Sequence, residues 1–152
     1  MAKKVTIAFL LRDDEICLGM KKRGFGVGLW NGTGGKVVDG ETPEDAAKRE
    51  AKEEFGVDLI DLEYRGRIFF IYKDGMEFES SIYVSRKWSG EPTEGEEMSP
   101  KWFKTNRLPY ESMWSDDKLW LPLILDGKRI ESTFYFNDDA KTIEKFDVKE
   151  IN

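Results

Sequence analysis

Residues Lys3–Leu11 (KKVTIAFLL) are rich in aliphatic and β-branched residues and predict a strand. Asp13-Asp14 predicts a turn, and Glu15–Met20 (EICLGM) predicts the return strand. Lys21–Gly35 carries six glycines and predicts a run of turns. From Leu59 the apolar pattern is again that of strands. Arg67–Tyr72 and Met76–Val84 flank Lys73-Asp74-Gly75, a hairpin signal. Gly90–Ser99 is an acidic, turn-rich loop, and Lys101–Thr105 predicts a short strand. Asp116–Leu125 predicts a helix with an acidic first turn and Pro122 as an irregularity. In Arg129–Asn137 and Thr142–Lys149, Ile, Thr, Phe, Tyr and Val recur at alternate positions, which predicts two closing strands. Leu108–Ser115 carries no clear period. No repeat, low-complexity tract or linker interrupts the chain. The expectation is one α/β domain over residues 1–152, with a mixed sheet and about two helices.

The strongest local signal lies between Gly35 and Val57 (GKVVDGETPEDAAKREAKEEFGV). Thr42 is a good helix N-cap, and Pro43 suits the first helical position, where its missing N–H matters least. Asp45 stands where the acid of a capping box stands, and Gly56 is a stop signal. The spacing predicts a helix over Pro43–Phe55. Ala47, Ala51 and Phe55 form its packing stripe. Glu50, Glu53 and Glu54 share another face, because residues three and four apart are neighbours on a helix.

Three like charges near a helix C-terminus oppose both each other and the helix dipole. A divalent cation relieves both penalties. The donors are hard oxygens, histidine is absent and only one cysteine exists, so Mg²⁺ or Mn²⁺ fits better than zinc. The absence of histidine also removes the commonest general base. In the glycine-rich segment a phosphate-cradling loop is the tempting reading. It has neither the Lys-Ser/Thr ending of a P-loop nor a dinucleotide-binding fingerprint, and turns account for the glycines.

Charge narrows the partners. Lys plus Arg number 24 and Asp plus Glu 30, for a net charge of −6. Such a chain is a poor binder of polymeric nucleic acid, though a free nucleotide carried with a divalent cation suits it. Cys17 is alone, so no intramolecular disulfide forms and a cytoplasmic setting is expected. Neither a signal peptide nor a membrane-length apolar stretch is recognisable, and a monomer is the default.

The spacing of Gly35, Glu41, Arg49-Glu50, Glu53-Glu54, Gly56 and Val57 resembles the Nudix box, the loop–helix–loop signature of enzymes that hydrolyse nucleoside diphosphates linked to another group. Ala51 departs from it, standing where the family has a larger aliphatic residue. The likeness continues outside the box, in LGMKKRGFGVGLWNGTGGKVVDGET, in EEMSPKWF and in MWSDDKLWLPLIL. These runs resemble the MutT-homologue branch, the oxidised purine nucleoside triphosphatases that remove 8-oxo-dGTP and 2-hydroxy-dATP.

The resemblance implies a Nudix fold, a mixed sheet sandwiched between helices. It implies Mg²⁺ held by Glu50, Glu53 and Glu54 with the Gly34 carbonyl, and Glu97 as a further ligand or base. It implies Glu54, or else Glu53, as the residue that takes the proton of the attacking water, and Arg49 as the residue that orients the box by pairing with Glu41. Thr6, Lys21, Asn31, Phe70, Trp114, Asp116 and Asp117 fall at substrate-pocket positions, with Phe25 and Phe78 as apolar wall. Tyr72 stands where the family's pocket wall has Phe. On residues alone, Asp116 and Asp117 are an ordinary acidic helix start, and Trp114 and Trp120 are ordinary core aromatics. The resemblance moves Asp116, Asp117 and Trp114 into the pocket and leaves Trp120 in the core. It also leaves open another nucleotide substrate, or a domain that binds a nucleotide without hydrolysing it.

Overall fold

The computed structural model describes residues 2–152. Strands β1 (Lys3–Arg12) and β2 (Glu15–Lys21) form the first hairpin, with Leu10 opposite Cys17 and Leu11 opposite Ile16. Two short strands, β3 (Trp30–Asn31) and β4 (Thr33–Lys36), follow inside the glycine-rich segment. Helix α1 (Pro43–Phe55) leads to the long strands β5 (Asp58–Ile71) and β6 (Glu77–Ser89), then β7 (Met98–Lys104). A 3₁₀ turn at Tyr110–Ser112 precedes helix α2 (Asp117–Leu125), and β8 (Arg129–Phe136) and β9 (Ile143–Ile151) close the chain.

The strands make one mixed sheet in the order β3-β2-β1-β6-β5-β8-β9, with β4 on β1 and β7 on β2. β1–β6 and β5–β8 are parallel, and the other pairs are antiparallel. One edge of β1 is forked. Its Leu10–Arg12 end pairs with β2, while Val5–Ala8 pairs with β4. The fork seats Gly34 and Gly35 beside Ile7 and Thr6. The backbones approach so closely there that a Cβ on Gly34 would lie 1.9 Å from the Thr6 carbonyl oxygen. Only glycine fits.

Side chains alternate across a strand, so β1 feeds two cores. Phe9 and Leu11 join Ile68, Ile82, Phe134 and the α2 residues Trp120, Leu121 and Ile124. Ala8 and Leu10 join Cys17, Tyr83 and the α1 residues Ala47, Ala51 and Phe55. Each fully buried large side chain contributes roughly 1.5–3 kcal/mol of transfer free energy. Burial raises the Cys17 thiol to about 12, which makes it an inert core residue.

Helix α1 runs as its signals dictate. Asp45 N–H donates to Thr42 Oγ1 at 3.1 Å, and Thr42 N–H donates to Asp45 Oδ2 at 3.5 Å, which completes the capping box. Gly56 ends the helix at φ 73°, in the left-handed region. Ala51 is fully buried against Phe55 and its neighbours.

Three departures from the sequence pattern matter. The glycine-rich segment contains β3 and β4 as well as turns. β5 begins at Asp58 and shifts register between Leu59 and Gly66, which breaks the alternation a reader would look for. α2 starts one residue late, at Asp117, with no side-chain cap from Asp116. Among the described residues, no helix is long and apolar enough to cross a membrane.

Candidate active site

α1 presents its three glutamates unequally. Glu54 is buried, Glu50 half-buried and Glu53 exposed. Gly34 N–H donates to Glu54 Oε1 at 2.9 Å, which ties the helix to the fork of β1 and β4. Gly35 leaves room for Glu50, since a Cβ there would lie 2.5 Å from Glu50 Oε1. Arg49 lies among the other acids. It donates to Glu41 Oε2 at 2.7 Å, to Glu50 Oε1 at 2.8 Å and to Glu53 Oε2 at 3.5 Å, and also to the Lys36 carbonyl at 2.9 Å. One guanidinium therefore braces the loop before the helix against the helix itself.

Burial raises Glu54 to about 8, and the charge of Glu50 pushes in the same direction against the Gly34 hydrogen bond. Burial also raises Glu50, with Arg49 opposing. The pair is thus short of positive charge. Glu97 differs: a hydrogen bond from Arg23 holds it below the usual carboxylate range. Arg23 Nη2 donates to Glu97 Oε1 at 2.6 Å, and Lys21 Nζ stands 4.0 Å from its Oε2. The charges of Lys21 and Glu97 act on Glu54 in opposite directions, Lys21 lowering it and Glu97 raising it. Among the described residues, no three Asp, Glu, His or Cys side chains are drawn close enough together to hold an ion as they stand. The donor set nonetheless suits a hard divalent cation, because it is all oxygen and carries a buried, undercompensated carboxylate. Glu50, Glu53, Glu54, Glu97 and the Gly34 carbonyl are the groups that could hold it.

A cavity of about 300 Å³ opens beside Glu54 and runs under α2. Thr6, Lys21, Asn31, Gly34 and Glu54 line it together with Phe70, Phe78, Trp114, Asp116 and Asp117. All the positions expected for a substrate pocket therefore meet in one space, while Glu50, Glu53 and Glu97 stand outside its lining. Phe25 lines the cavity but is 74% exposed, and its ring is tilted against Trp114 with centroids 4.9 Å apart, so it forms the outer part of the lining. Asn31 Oδ1 accepts from Gly32 N–H at 2.8 Å, which leaves the amide's NH₂ as its free donor. Thr6 Oγ1 is buried without a partner, on the sheet face it shares with Ala8.

Asp116 and Asp117 are both buried at the start of α2. Burial raises Asp117 well above the usual range, and the neighbouring Asp116 adds to the shift. Burial raises Asp116 too, opposed by Trp120, whose Nε1–H donates to Asp116 Oδ2 at 2.7 Å. Asp117 Oδ2 has no partner. Trp120 is a core aromatic as expected, and it has a second role. It lines the cavity and orients an acid there. The i, i+4 spacing of Asp116 and Trp120 was the available signal. Met98, Ile82 and Ser80 also line the cavity, and no local pattern marks them.

A mixed sheet packed between two helices, with a glycine-led glutamate helix that sends Glu54 into a cavity of about 300 Å³, defines a hydrolase of the Nudix family. The chain belongs to that family: the NUDIX domain model matches residues 1–124. Two proteins called oxidized purine nucleoside triphosphate hydrolase are similar to it. The one from Mus musculus is 42% identical over 148 residues, covering 97% of this chain and 94% of its own. The one from Danio rerio is 42% identical over 144 residues, covering 94% and 92%. A crystal structure of a mutator MutT protein from Bacillus halodurans superposes with a TM-score of 0.85 at 24% identity, covering 96% of this chain and 97% of that one, and shows the same fold. Nudix hydrolases generally use a divalent metal ion and act on small nucleotide substrates.

Proposed function

We propose that residues 1–152 form one monomeric, cytoplasmic domain that hydrolyses oxidised purine nucleoside triphosphates, such as 8-oxo-dGTP and 2-hydroxy-dATP, to the monophosphate and pyrophosphate. The observation that carries this reading is the continuity of the cavity from Glu54 to the buried Asp116–Asp117 pair. It joins a place for phosphate chemistry to a place that reads a base. The near-complete overlap with the mouse and zebrafish proteins supports the same substrate class.

Trp114, at the mouth, offers a face for the purine, and base–aromatic stacking contributes roughly 1–3 kcal/mol. Asp117, kept protonated, donates from its carboxyl, while Asp116 accepts. A neighbouring donor and acceptor of this kind match the mixed N–H and carbonyl edge of an oxidised guanine or adenine. Asn31 adds its free NH₂ donor. Phe70 and Phe78 keep water from the base.

Glu50, Glu53, Glu54, Glu97 and the Gly34 carbonyl would hold Mg²⁺, with Mn²⁺ as the alternative. A bound divalent ion supplies charge stabilisation for the phosphates and a lowered pKa for the attacking water. Glu54 takes the water's proton, with Glu53 as second candidate. Gly34 N–H occupies Glu54 Oε1 and leaves Oε2 for that proton. Arg49 holds Glu50 in place, and Lys21 directs positive charge at the phosphate end.

The test is a steady-state comparison of 8-oxo-dGTP, 2-hydroxy-dATP and dGTP with Mg²⁺, in the wild type and in Trp114→Ala. The reading requires higher kcat/KM for the oxidised nucleotides, and loss of that preference in the variant. Equal rates for all three would leave a Nudix hydrolase of another nucleotide.

A further inference from the structure

β6 points Phe78, Ser80 and Ile82 into the cavity, since alternate residues share a face. Across the sheet Ser80 is in register with Ile68 on β5 and Val5 on β1. Its hydroxyl thus stands between aliphatic neighbours, and the residue is only 5% exposed. The hydroxyls of Ser85, Ser99 and Ser115 bond to protein oxygens. Ser80 has no such partner among the described residues. A hydroxyl that lines a cavity and has no protein partner is free to donate to a bound molecule.

We infer that Ser80 is a specificity-determining residue whose Oγ–H donates to the carbonyl oxygen that oxidation adds at C8 of a bound purine. This rests on the substrate reading above. Asp116 and Asp117 enter the cavity from α2, and Ser80 enters from the sheet. A flat base lying between them presents one edge to each. At the second edge an unmodified purine offers a C–H, which the hydroxyl cannot use. The oxidised purine offers an acceptor.

The experiment pairs Ser80→Ala with Ser132→Ala. Ser132 has a buried, unpartnered hydroxyl, and it sits on β8 outside the cavity lining. Ser132→Ala removes a buried unpartnered hydroxyl and Ser80→Ala a cavity-facing hydroxyl that bonds nothing in the protein, so neither is expected to lower the melting temperature. Ser80→Ala is expected to lower kcat/KM for 8-oxo-dGTP by about 3- to 10-fold, the worth of one neutral hydrogen bond, with dGTP unchanged within about twofold. Calorimetry of 8-oxo-dGMP against dGMP without metal is expected to show the same loss for the oxidised nucleotide only. Ser132→Ala is expected to alter neither. A wild-type enzyme that prefers 8-oxo-dGTP, with that preference intact in Ser80→Ala or with both nucleotides weakened equally, overturns the role of Ser80 alone. A wild type with no preference overturns the substrate reading and this inference together.

Discussion

Trp120 Nε1 lies 2.7 Å from Asp116 Oδ2, one helical turn away on α2 and out of contact with bulk water. The indole has a single donor and delivers it to a carboxylate that burial would otherwise push toward protonation. Trp120→Phe keeps the ring and removes the donor. Its expected effect is a loss of about 1–3 kcal/mol in unfolding free energy, since a buried acceptor loses its partner, together with reduced discrimination between 8-oxo-dGTP and dGTP. Chemical denaturation with parallel kinetics checks both. Full stability and full discrimination in the variant would mean that the bond has no consequence.

Asp117 ties stability to pH. Its folded pKa is raised well above the ordinary carboxylate range, chiefly by burial. The folded state therefore holds a proton that the unfolded chain releases near pH 4. Its contribution is complete below that point and declines as pH rises through the folded value. Asp117→Asn has no proton to lose. Melting curves from pH 5 to 9 should show the variant gaining on the wild type steadily with pH. A constant offset would contradict the assignment.

Gly35 exists for Glu50. A methyl at position 35 would sit 2.5 Å from Glu50 Oε1, and the movable tip of the glutamate would give way rather than the backbone. Gly35→Ala should therefore fold, yet bind divalent metal about 10- to 100-fold more weakly, the range seen when the support of metal ligands is disturbed. Titration with Mn²⁺ followed by electron paramagnetic resonance measures this directly, and unaltered affinity would separate Glu50 from the metal.

For Glu54→Gln the expected fall in turnover is about 100-fold or more, as for loss of a general base. A fall of less than tenfold would assign the base elsewhere. Metal-free stability gives a second readout of opposite sign. Burial raises Glu54 to about 8, so its contribution to stability is lost as pH rises through that value. The glutamine variant should therefore melt above the wild type at pH 9 without metal.

Much of this molecule is legible from local chemistry. Thr42, Pro43, Asp45 and Gly56 mark both ends of α1, because caps act within a few residues. The spacing of Glu50, Glu53 and Glu54 places them on one face for the same reason. The strands β3 and β4 escape notice because glycine has no side chain to alternate, and their pairing with β2 and β1 depends on distant residues. β5 loses its period at its register shifts. The unequal burial of the three glutamates, Arg23 on Glu97 and the unpartnered hydroxyls of Thr6 and Ser80 are all products of tertiary approach, to which periodicity is blind.

α1 and α2 rest on opposite faces of the sheet, each in its own cluster of buried side chains. Laboratory evolution can use that separation. On the proposed roles, a library confined to Tyr72, Ser80 and the first turn of α2 is expected to change nucleotide preference while the buried contacts of α1 stay constant.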